Sequence, residues 1–229
     1  GDIKGFGKPS IIFSRSSRLY SYSYNGSGFL QLDWNQNTTD TSGSIGITMF
    51  DLNNDGVQEI IYRDMNSLNI INGSVLPITI SSINCLAPTL SENPIVGDFD
   101  NSGHAKICIP CASEIYNPYG KLTIFGPPDS LPKWAPARGI WNQYNYHVLN
   151  INDDLSVPRI QKNNATFKNG KYNNFYVQES LLEDGMYLKK AASLTGKIKC
   201  INYDPINNEY TVIFDIYNRT DASFGADSS

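Results

Sequence analysis

The sequence predicts an all-β chain assembled from repeated units of about fifty residues, the length of one propeller blade or of another repeat array. Three observations carry this. An Asp/Asn-rich loop with a fixed glycine recurs, and Gly7, Gly56 and Gly103 fall 49 and 47 residues apart. Each loop is followed by a short strand that ends in a glycine turn, as in a hairpin. The composition is rich in Asn, Ser, Thr, Gly and Tyr, only 17% is charged, and long helical periodicity is absent, which suits extracellular β structure.

The central loop, Asp51 to Glu59, is the most informative. It places oxygen-bearing side chains at positions one, three, five and nine (Asp51, Asn53, Asp55 and Glu59) around Gly56 at six. Calcium takes six to eight hard oxygen ligands at roughly 2.3–2.6 Å, so several must converge from a tightly curved segment. Gly56 permits the sharp turn, the carbonyl of Val57 can point inward, and Glu59 returns as the closing acid. The metal ligands expected are therefore Asp51, Asn53, Asp55, Val57 and Glu59. Position twelve is Tyr62 rather than Glu, so the loop ends at nine and runs into a strand. The competing reading is a metal-free surface turn, which Asn and Asp also favour.

The flanking copies have lost ligands. In the loop from Asp98, Ser102 replaces the acid at five, and Lys106 replaces the acid at nine and can put its ammonium where calcium would sit. In the loop from Asp2, Lys4 and Phe6 occupy positions three and five. One occupied site is expected, with the other two loops as structural turns. The strand segments after the loops start at Leu19, Leu68 and Leu122, so the third unit, which contains Cys108 and Cys111, carries a small insertion.

Other chemistry is sparse. His104 and His147 are the only histidines, and no nucleophile elbow or zinc-protease pair accompanies them. Gly5-Phe6-Gly7-Lys8 fails as a phosphate loop because Asp2 stands at its first glycine and Pro9 follows the lysine. A net charge of -4 without a basic patch argues against a nucleic-acid partner. No apolar run approaches the ~20 residues of a membrane span. Cys85, Cys108, Cys111 and Cys200 admit three full pairings. A disulfide from Cys85 to Cys108 or Cys111 is expected, as in an oxidising compartment. Five Asn-x-Ser/Thr sequons begin at Asn25, Asn37, Asn72, Asn164 and Asn218.

The repeat stops near residue 134. Residues 135–185 are expected to form an aromatic-rich extension and, from 161, an Asn/Lys-rich connector. The rings around Trp134, Trp141, Tyr144 and Tyr146 suit either packing against the last repeat or a glycan-stacking platform. From 186 to 229 the pattern reads as the truncated start of an immunoglobulin-like β-sandwich, with strands near Cys200 and Val212.

The Asp51–Ile60 loop with its two degenerate copies resembles the FG-GAP or VCBS repeats of integrin-like β-propellers. The stretch Ala137 to Tyr146, with Asn152, Asp153, Asp154 and Pro158 following, resembles the segment after such repeats in very large surface adhesins of gliding bacteria. The resemblance implies residues 1–134 as a partial propeller of a secreted or cell-surface, non-enzymatic protein exported by the type IX pathway. In such proteins calcium rigidifies blades that display loops to surface glycans or other cell-surface proteins. The alternative is a secreted calcium-dependent propeller enzyme such as a polysaccharide lyase.

Overall fold

A computed structural model describes residues 1–87, 92–112, 120–183, 186–187 and 194–218. The chain divides into two compact units, Gly1–Leu181 and Leu182–Ser229. Among the described residues no helix is long and apolar enough to cross a membrane.

Among the described residues the first unit shows three antiparallel sheets in succession, none closed into a barrel. The first is the meander β1 (Ile11–Arg15), β2 (Arg18–Tyr24) and β3 (Leu30–Asn37). The second runs in the order β4 (Ile47–Phe50), β5 (Glu59–Arg63), β6 (Ser67–Asn72) and β7 (Ile78–Asn84). The third pairs β8 (Ile95–Gly97) with β9 (Lys106–Ala112), and β9 with β10 (Gly120–Phe125).

The repeat read from the glycine spacing is present in the strand register. Ile11 faces Tyr22, Ile60 faces Ile71, and Ile107 faces Phe125. Even the irregularities repeat: the register slips between Ser21 and Tyr22 in the first sheet and between Ile70 and Ile71 in the second. The next turn is built alike, with Asn25 Oδ1 accepting from the Ser27 amide at 2.8 Å and Asn72 Oδ1 from the Ser74 amide at 3.0 Å. In the third unit the β9–β10 connection, where the extra length falls, lies outside the described residues.

Alternation along the strands gives each sheet two faces. Ile60, Tyr62 and Ile71 of the second sheet pack into one core with Leu19 and Trp34 of the first and with Ile3. Each fully buried side chain of this kind stabilises by roughly 1.5–3 kcal/mol. Trp34 can be buried there because its Nε1 donates to the Gly73 carbonyl at 2.7 Å. Between the second and third sheets, Thr48 Oγ1 donates to the Pro94 carbonyl. Arg63 pairs with Glu92 at 3.3 Å, and the Cys85–Cys111 disulfide links the chain after β7 to β9. Of the two pairings expected for Cys85, the structure selects Cys111. Cys108 is buried and Cys200 exposed, both as free thiols.

Residues 134–181 return to these sheets rather than leading away from them. Ala135 inserts between two loops, donating to the Leu52 carbonyl at 2.8 Å and accepting from the Ala105 amide at 3.0 Å. Val177 forms a parallel bridge with Met49, so residues 176–178 cover the free edge of β4. Arg138 anchors the turn between them through Asp153 (2.7 Å), Tyr146 Oη (3.2 Å) and the carbonyls of Val148 and Ile151 (3.0 and 2.9 Å). Most of the aromatic stretch builds a small core: Trp141 stacks on Tyr146 at 4.4 Å, and Phe167 on Tyr172 at 5.8 Å. Tyr144 stays exposed.

In the second unit the described residues form two antiparallel hairpins. One pairs β11 (Leu182–Glu183) with β12 (Met186–Tyr187). The other pairs β13 (Leu194–Asp204) with β14 (Glu209–Asn218).

Candidate metal site

The three loops share one backbone conformation. Position four is left-handed in each (Gly5 φ 71°, Asn54 φ 57°, Asn101 φ 54°), and so is position six (Gly7 φ 71°, Gly56 φ 84°, Gly103 φ 80°). Asn is among the few side chains that tolerate that region, and Gly occupies it freely. The first aspartate holds each loop in this shape by accepting from the amide at position six: Gly7 to Asp2 at 2.6 Å, Gly56 to Asp51 at 2.9 Å, and Gly103 to Asp98 at 2.9 Å.

In the central loop the expected residues at one, three and five meet. The Asp55 amide donates to Asp51 Oδ1 (3.1 Å) and to Asn53 Oδ1 (3.0 Å), while Asn53 Nδ2 donates to Asp55 Oδ2 (3.0 Å). Asp55 Oδ1 accepts from the Val57 amide at 2.8 Å. Glu59, the first residue of β5, comes back beneath the loop, where its Oε2 accepts from the Leu52 amide at 2.7 Å. Its residue is 1% exposed. Its second oxygen, Oε1, is buried without a hydrogen-bond partner.

That arrangement is electrostatically costly for a lone carboxylate. Burial first, then the charges of Asp55 and Asp51, push the Glu59 carboxyl up to about 7, against the hydrogen bonds of the Leu52 amide and of its own. Burial also raises Asp51, against the amides of Gly56 and Asp55. An acid kept this far from water, with one free oxygen and two acidic neighbours, suits a hard cation. The donor chemistry therefore fits calcium, whose charge would replace the proton on Glu59. The geometry is less closed than a bound site: among the described residues no three acid, His or Cys side chains lie close enough to hold a metal ion.

The degenerate loops are satisfied differently. Lys106, at position nine, extends its Nζ to 3.6 Å from Asp100 Oδ2 at position three. Hydrogen bonding from Ser102 and the nearby Lys106 hold the Asp100 carboxyl below the usual range. In the first loop Lys4 turns away to Asp33 at 2.5 Å. The sequence missed the node formed by Tyr146, Gln178 and Arg138. Gln178 accepts from Tyr146 Oη at 2.8 Å and donates to the carbonyls of Val96 (2.8 Å) and Ile140 (3.0 Å). Its partners are mostly backbone carbonyls distant in sequence, which leave no residue-type signal.

Neither a known protein family nor a curated protein sequence matches this chain. A solved structure does. The chain shares its fold with the biofilm matrix protein Bap1 of V. cholerae. The match has a TM-score of 0.60 at 20% identity over 73% of this chain. The chain corresponds to 27% of that protein's length.

Proposed function

We propose that this chain is a segment of a non-enzymatic, secreted or cell-surface adhesion protein in which one calcium ion stiffens a propeller-like array of sheets. The ion would be held by Asp51, Asn53, Asp55, the Val57 carbonyl and Glu59. The observation that carries the reading is the buried, unpartnered Oε1 of Glu59 beside two further acids, in the one loop of three that keeps acids at one, five and nine. Calcium supplies two positive charges there; the chain fixes the loop through the Asp51 and Leu52 hydrogen bonds and excludes water from Glu59. Three successive sheets, each with its repeat register, support propeller blades of the FG-GAP or VCBS kind.

Two features support a displaying rather than a catalytic role. Residues 176–178 cover the free edge of β4, so this edge is closed by the chain's own backbone and offers no cleft. The two histidines are separate, with His104 bound to the Trp134 carbonyl at 2.9 Å and His147 packed on Phe175. The structural likeness to a biofilm matrix protein favours the same class, with surface glycans or other cell-surface proteins as partners. The resemblance to gliding-bacterium adhesins favours type IX export.

Thermal unfolding with calcium and with a chelator, for the natural chain and for Asp55→Ala, tests the proposal. Calcium at about a hundredfold its dissociation constant stabilises by about 2.7 kcal/mol, and Asp55→Ala removes that gain. Equal midpoints with and without calcium in the natural chain would reduce the loop to a bare turn.

A further inference from the structure

The net charge of -4 conceals a local excess of cations. Residues 155–178 hold Arg159, Lys162, Lys168 and Lys171 and not one Asp or Glu. The structure gathers three of these cations on a pair of rings. Lys162 Nζ lies 4.1 Å from the centroid of Phe167, which stacks on Tyr172 at 5.8 Å, and the Nζ atoms of Lys168 and Lys171 lie 5.9 and 5.7 Å from the Tyr172 centroid. All three lysines are exposed. Lys4, Lys106 and Arg138 each pair with an aspartate, whereas none of these three lysines forms an ion pair among the described residues. Glu179 accepts from the Tyr172 hydroxyl and offsets one of the three charges.

The backbone under the patch is strained. Lys168 and Asn169 are left-handed (φ 46° and 58°), ahead of Gly170 at φ 81°. Asn and Gly tolerate that region, but a lysine enters it at a cost. The turn brings Lys168 and Lys171 to one ring, and strain of this kind persists where the chain has a use for the residue. Cation–π contact holds the ammonium groups in place, so an anion meets charges that are already ordered.

We propose that the patch formed by Lys162, Lys168 and Lys171 binds an acidic polysaccharide, whose carboxylates face the ammonium groups and whose hydroxyls face the exposed amides of Asn169 and Asn173. A nucleic acid fits less well. Tyr172 is buried, and Phe167 is covered by Lys162 and Tyr172, so neither ring is free for a base to stack on. Duplex binders commonly neutralise about 6–10 phosphates, more than this segment can reach. The proposal names a partner for the adhesion reading above and rests on it, but not on calcium.

Biolayer interferometry on immobilised polygalacturonate, in buffer without calcium so that no ion bridges carboxylates, tests it. The natural chain binds this uronate polymer and not neutral dextran, and binding falls steeply as sodium chloride is raised. Lys162→Gln combined with Lys171→Gln lowers the affinity about tenfold or more, while the corresponding Arg changes retain it. Lys168→Asn also weakens binding yet raises the urea midpoint, because Asn accepts the left-handed turn; a lysine that only shaped the loop would leave binding intact. Lys121→Gln, outside the patch, changes neither readout, and circular dichroism verifies that each variant is folded. The proposal is overturned by no binding to polygalacturonate, by equal binding to dextran, by undiminished binding of the Gln variant, or by tighter binding to duplex DNA or anionic vesicles. The effect of calcium on the unfolding midpoint, read on the same natural chain, tells a failure of this patch from a failure of the adhesion reading.

Discussion

The Leu52 amide donates to Glu59 Oε2 at 2.7 Å, holding a carboxylate that is buried beside two other acids. The bond fixes the acid in place without neutralising it.

In the chelated protein, Glu59 should therefore make stability fall as pH rises. Its folded pKa, about 7, lies above its ordinary value of 4.5, so the folded state binds the proton more tightly. The penalty is absent below about pH 4.5, grows as the unfolded chain ionises, and is complete above pH 7, reaching about 3 kcal/mol. Glu59→Gln removes this slope and should be the more stable of the two at pH 8 without calcium, as measured by urea midpoints at pH 5 and pH 8. Parallel profiles for both proteins would show that Glu59 is not held as an isolated acid.

Lys106→Glu should give the third loop the closing acid it lacks. Without calcium the variant loses the 3.6 Å pairing with Asp100 and gains like-charge repulsion, and should be slightly less stable than the natural chain. With calcium, titration calorimetry should read two sites instead of one. A stoichiometry unchanged from the natural chain would mean that Ser102 cannot serve at position five.

Gln178→Ala should be among the most damaging single changes. It takes from the buried Tyr146 hydroxyl its acceptor, leaving only the Arg138 contact, and from the carbonyls of Val96 and Ile140 an amide donor. The cost is about 2–4 kcal/mol, seen as a lower urea midpoint at constant slope. A loss under 0.5 kcal/mol would place water at the node.

Replacing Cys85 by Ser opens a cross-link that spans 26 residues of sequence. In the chain-entropy account this lowers stability by about 3 kcal/mol, and reductant should lower the natural chain to the same urea midpoint. Indifference of the natural chain to reductant would place the thiols apart in solution.

The loops were legible because their requirements are chemical and local: an aspartate that caps two amides, and a glycine where φ is positive. The sheets were legible through the 49-residue spacing of Leu19 and Leu68. The return of residues 176–178 to β4 was not, because Val177 and Gln178 bond to Met49 through backbone groups that any sequence supplies. Ile11 and Phe13 alternate just as Ile60 and Tyr62 do, and only the packing shows that the latter pair is buried. The pairing of Cys85 with Cys111 rather than Cys108 turns on strand direction, since Cys108 and Cys111 lie three residues apart on β9 and project to opposite faces.

In all three loops the leading aspartate holds the amide at position six, whatever occupies three, five and nine. Shape and ion are thus separately encoded. A lineage carrying such loops can change the oxygen donors of individual units by one or two substitutions, without a new backbone, and on the calcium reading proposed above so set how many of the loops answer to the ion.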